Sequence, residues 1–134
     1  MAVKFANNVS TTLSTAINAT QTTINVADAS GLPTLSSGDY FYLTIDTDTN
    51  SPTIEVVKAT AFVGMSGTAL TVVRGQDGTT ASSFSAGVKV ELRVTAAALD
   101  DISSAADTES VSISGDTMTG TLTAPTIAGD DLVL

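Results

Sequence analysis

The chain has 134 residues and is sparsely charged (14%), with five basic and 14 acidic groups and a formal charge of −9. It contains no Cys and no His, which excludes disulfide staples, thiolate chemistry, His-based metal sites and His acid–base catalysis. Ser and Thr are abundant throughout, and β-branched Thr favours pleated, half-exposed surfaces.

Residues 1–11 are mixed and Asn-rich, without a sustained period. They read as an extended arm that is ordered only where something holds it. Within it Val3, Phe5 and Val9 fall at strand-like even spacing, and Phe5 and Val9 are candidates for docking a partner. Met1-Ala-Val-Lys-Phe5 lacks the apolar core of a signal peptide, and no apolar run reaches the length of a membrane span. Synthesis in the cytoplasm and no membrane partner are therefore expected.

Residues 12–94 carry the pattern of a mainly β domain, a small antiparallel β-sandwich or barrel. Leu13–Ile17 and Thr22–Ala27 read as short strands, with Ile24 and Val26 on one face. Asp28–Pro33 is a loop, and Ser36–Asp39 turns the chain into Tyr40–Ile45. There Phe41, Leu43 and Ile45 share the core face. Tyr40 and Tyr42 share the other, where their hydroxyls are expected to reach water or a partner. Asp46-Thr-Asp48-Thr-Asn50 imitates the opening of a calcium loop. Ser51, however, stands where such a loop needs Gly, and Val57 where it needs a closing Glu. A polar hairpin tip is the better account, so no metal and no other cofactor is expected. Thr53–Ala59 returns as a strand, Ala61–Val63 continues it past a bend, and Gly64–Gly67 reverses the chain.

Leu70-Thr-Val-Val-Arg-Gly-Gln-Asp-Gly-Thr-Thr-Ala81 is an apolar strand that runs into a turn with two glycines. Gly adopts positive φ without a Cβ penalty, as a tight reversal requires. A guanidinium at Arg74 satisfies carbonyls or a carboxylate in a fixed fork. The leading account is a clamp within its own domain; docking a partner is the second. Val88–Val94 is the cleanest period-2 run: Val88, Val90, Leu92 and Val94 face the core, with Lys89, Glu91 and Arg93 outside. Thr95 then caps a short helix to about Ala106. Its apolar stripe of Ala98 or Leu99, Ile102 and Ala105 packs on its own domain or around a symmetry axis with other copies.

From Asp107 to Leu134 isolated apolar residues, Met118 and Leu122 among them, lie in a polar, Thr-rich background. One copy of such a segment has too little apolar surface for a core. Three copies wrapped together supply one, which predicts an extended β-shaft-like segment with Leu99, Ile102, Met118 and Leu122 as trimer contacts. The ending Asp130-Asp-Leu-Val-Leu134 has no visible cap and reads like a fragment or like the ordered head of a longer fibre. Residues 94–134 hold seven carboxylates and no basic group, a balance that repels phosphate and argues against nucleic acid as a partner.

Several stretches resemble known families. Ile54-Glu-Val-Val-Lys58 followed by Leu70–Ala81, and Ala86–Leu99 after them, are similar to the N-terminal domain of tail fibre proteins from tailed bacteriophages. Gly115-Asp-Thr-Met-Thr-Gly-Thr-Leu-Thr-Ala-Pro125 resembles a word found in fibre shafts. The resemblance implies a trimeric virion component on the tail that docks on adaptor, nozzle or baseplate proteins, with Phe5, Val9, Tyr40, Tyr42 and Arg74 as docking candidates. A capsid decoration or head-fibre protein and a carbohydrate-binding adhesin module are the alternatives. Catalysis is not expected, because no carboxylate pair converges in the sequence pattern and no base stands ready to activate a serine.

Overall fold

The computed structural model describes residues 2–64 and 67–109, and of residues 105–109 only the backbone. Six strands form one antiparallel sheet: β1 (Ser10–Thr12), β2 (Thr23–Asn25), β3 (Phe41–Asp46), β4 (Ile54–Val63), β5 (Ala69–Gln76) and β6 (Lys89–Glu91). Their spatial order is β1-β6-β3-β4-β5-β2. The sheet curls into a half-barrel, and its two outer strands meet at one point. Leu13 bridges Val26, with Ser14 N–H donating to the Asn25 carbonyl and Ala27 N–H to that of Thr12, each at 2.9 Å. One helix follows, α1 (Ala96–Glu109).

The alternation read from the sequence holds in the central strands. Phe41, Leu43 and Ile45 enter the main core beside Val57, Ala59 and Leu70, and Ile24 and Val26 close it from the β2 side. Leu32, with Ala29 and Leu35 at its margin, fills the open side of the half-barrel from the loop between β2 and β3. Phe84 reaches the same core from the segment after β5, where its backbone pairs with Ile17.

Several expectations are corrected. The stretch 13–17 is not a continuous strand: β1 lies earlier, in the presumed arm, and Leu13 and Ile17 make single bridges to different neighbours. Val88–Val94 shortens to β6, because the chain leaves the ladder after Glu91 on its way to α1; Val94 is 68% exposed instead of facing the core. The arm is held by its own domain. Lys4 N–H donates to the Tyr40 carbonyl (2.7 Å), Tyr40 N–H donates to that of Ala2 (3.0 Å), and Leu92 N–H donates to that of Val9 (3.2 Å). The helix runs to Glu109 instead of ending near Ala106, since no Gly or Pro interrupts it before Gly115. The described residues up to Ile102 belong to one compact unit. Met118, Leu122 and the rest of the expected shaft from residue 110 onward lie outside the described residues.

Candidate functional site

Arg74 lies near the end of β5, on a bulge. Val73 pairs with Lys58 and Gln76 with Val56, so Arg74 and Gly75 together oppose Val57. Such a bulge re-aims a side chain and a backbone N–H, and here both turn onto Glu55. The guanidinium forks onto the carboxylate, Nε to Oε2 and Nη2 to Oε1, both 2.8 Å. Its remaining donors reach three carbonyls: Nη1 to Asn18 (2.7 Å) and Gln21 (3.0 Å), Nη2 to Ser82 (2.6 Å). All five N–H groups are thereby used. Glu55 is fully buried and accepts two further bonds, from Gly75 N–H (2.8 Å) and Ser82 N–H (3.0 Å). Burial pushes its carboxyl upward, but the Arg74 fork and the two backbone donors outweigh that and hold it below the ordinary glutamate value. The pair thus ties β4, β5, the 18–21 loop and the 79–84 segment together.

The next residues form the turn. Asp77 and Gly78 have φ of 55° and 76°, and Thr79 N–H donates to the Gln76 carbonyl at 3.0 Å. Two successive left-handed residues closed by that bond make a type I′ turn, for which Asp-Gly is a favoured pair. Asp77 then does a second job: its Oδ1 accepts from Ala97 N–H (3.1 Å) at the start of α1. Thr95 Oγ1 accepts from Ala98 N–H (3.2 Å), the expected cap. Two of the helix's open donors are satisfied from two separate parts of the chain.

α1 covers the second face of the sheet, where Ala98 is buried with Tyr42 and Val56, and Val3, Tyr40 and Ala97 lie at the margin. Both phenols donate to the same oxygen of α1, Asp101 Oδ2, at 2.7 Å from Tyr40 and 2.8 Å from Tyr42. The rings meet edge to face at 85°, and Lys58 Nζ sits 4.2 Å over the Tyr40 ring. Burial first, then the bond to Asp101, pushes the Tyr40 phenol up to about 12 and raises Tyr42 as well.

The docking candidates therefore part company. Phe5 is 40% exposed. Tyr42 is only 6% exposed, so its hydroxyl meets Asp101 instead of water. Tyr40 is half-buried and shares that acceptor. Val9 packs on the main core, close against Gly31. Arg74 has no donor left for a partner, which gives it the clamp role. Of the trimer candidates within the described residues, Leu99 and Ile102 are 55% and 43% exposed along a flank of α1. At the polar hairpin tip, Asp46 accepts from Asp48 N–H (2.8 Å) and Arg93 Nη2 (3.0 Å), and Lys89 pairs with Asp48 at 3.1 Å. Among the described residues no cluster of acidic side chains is arranged to hold a metal, and no helix is long and apolar enough to cross a membrane.

The sequence reading missed Glu55, Asp77 and Asp101. The first had a signal: an acidic residue in an apolar strand, with an Arg in a later strand to pair with it. Asp77 was visible only as a turn residue, and Asp101 only as one of two adjacent carboxylates on a helix. No family model matches the chain, and no curated protein is significantly similar to it.

Proposed function

We propose that this chain is a structural, non-catalytic virion protein, the tail-attaching N-terminal part of a trimeric fibre of a tailed bacteriophage, and so serves host adsorption. The single observation that carries the reading is the pair Leu99 and Ile102, large apolar side chains left exposed along the flank of a helix already docked through Ala98. An exposed apolar stripe of this kind is a common site of association, and closed symmetric assembly of identical chains is the usual outcome. The likeness of the 54–58, 70–81 and 86–99 stretches to fibre attachment domains supplies the biological setting. In this reading α1 gathers three chains and the segment with Met118 and Leu122 carries them into a shaft. Phe5 and the exposed edge of Tyr40 face the tail protein, an adaptor, nozzle or baseplate component. Neither nucleic acid nor membrane is a partner. The adhesin alternative finds little support, since the two tyrosines are crossed edge to face and both hydroxyls are taken by Asp101.

Mass measurement of the intact chain in solution tests the reading. A trimer is expected, and Leu99→Asp with Ile102→Asp should give a monomer whose β-sheet signal is unchanged. A monomeric intact chain would overturn the trimeric fibre. Antibody labelling of virions then separates tail from head; label on the capsid shell favours the decoration or head-fibre alternative.

A further inference from the structure

The contact between α1 and the sheet is unusual in what it buries. The helix turns Ala98 and Asp101 inward, while the larger apolar residues Leu99 and Ile102 stand outward on its adjoining flank. Each outward residue is one position further along than an inward one. Successive residues on a helix are about 100° apart, so a single roll by that angle would exchange Ala98 for Leu99 and Asp101 for Ile102 at once. By area alone the rolled state would bury more hydrocarbon, though Leu99 would need more room than Ala98 occupies. What also opposes it is polar. Rolling α1 removes Asp101 from two phenol hydroxyls, one of them on the nearly buried Tyr42. A buried hydroxyl without a partner is costly.

We infer that Asp101, held by Tyr40 and Tyr42, is a positioning residue that sets the rotation of α1 about its own axis and keeps the Leu99–Ile102 stripe on the outside. The three side chains act as a rotational key: an apolar interface of the same shape would accept either rotation, whereas two phenols converging on one oxygen accept one. Buried polar groups fix register in this way at some helix interfaces. Asp77 and Thr95 hold the helix start, and the bond from Ala97 N–H to Asp77 resists a roll as well. The inference concerns the chain alone and stands whatever partner the stripe meets.

Nuclear Overhauser contacts from the residue 42 ring test it, and the chain offers only two Tyr and no Trp to assign. In the wild-type chain the Tyr42 ring should contact the Ala98 methyl. In the double variant Tyr40→Phe with Tyr42→Phe, the ring at position 42 should lose that contact and gain ones to the Leu99 and Ile102 methyls. Asp101→Ala should move the contacts the same way, and mixing labelled with unlabelled chains identifies contacts within one copy. Amide exchange along α1 is measured in parallel. Retention of the Ala98 contact in both variants would overturn the inference. So would loss of helix protection in both, because the cluster would then fasten the helix without orienting it.

Discussion

Replacing Arg74 by Met keeps most of the side chain's length while removing its charge and all five donors. Glu55 would be left fully buried with only the Gly75 and Ser82 N–H groups, and the Gln21 and Ser82 carbonyls would lose their partner. Removing one member of a buried ion pair costs about 3–5 kcal/mol, a large part of the roughly 5–15 kcal/mol that holds a domain of this size. The thermal midpoint should fall by roughly 15–30 °C. Urea unfolding followed by far-ultraviolet circular dichroism measures the loss in a chain without Trp. Arg74→Lys should lie between the two, since an ammonium supplies charge but no fork. The acid limb of stability should change as well. Glu55 is held below its ordinary value, so its contribution is present above that value and lost as pH falls through the depressed one. In Arg74→Met only the two backbone donors still oppose burial, and this contribution should shrink. A loss under about 1 kcal/mol, the worth of an exposed pair, would refute the clamp.

Alkaline pH should act through the tyrosines. The folded-state value of Tyr40 lies above its ordinary 10.0, at about 12, so the phenol's contribution is complete below the former and lost as pH rises through the latter. Thermal midpoints should decline across that window and decline less in Asp101→Ala; a wild-type midpoint that stays level would contradict the Tyr–Asp101 bonds. Gly78→Ala should cost about 1–2 kcal/mol from its left-handed φ alone, because nothing lies near a Cβ there. Gly75→Ala should cost more, since its Cβ would also sit 3.2 Å from the Thr79 carbonyl oxygen, and urea midpoints in the reverse order would sink this account. Asp77→Ala should cost about 0.5–2 kcal/mol, as loss of a helix cap does. Its signature is faster amide exchange at Ala97 than in β5, and equal rates would argue against the cap.

Much of the half-barrel was legible because its central strands are long enough to alternate cleanly. Phe41, Leu43 and Ile45 declare one face without help from the rest of the chain, and the positive φ of Gly78 follows from the turn it sits in, whereas that of Gly75 belongs to the bulge before it. Short elements were not legible. β1, β2 and β6 have three residues each, too few to show a period, and their limits are set by where neighbouring strands end. Val94 looked like a core position because alternation says nothing about where a ladder stops. Alternation puts Tyr42 on the face away from the main core, but it does not show whether a helix will cover that side. The same gap hid Asp101, whose meaning depends on two phenols about 60 positions earlier in the chain.

The stitch between Leu13 and Val26 limits how this protein can be recognised. With its two rims joined there and only three residues long on either side, the sheet offers little backbone for a foreign strand to extend. Recognition by way of this sheet would then go through side chains and surface shape, open to retuning by point substitution with the hydrogen-bonded ladder untouched. The same closure guards the molecule against end-to-end zippering when many copies are crowded together.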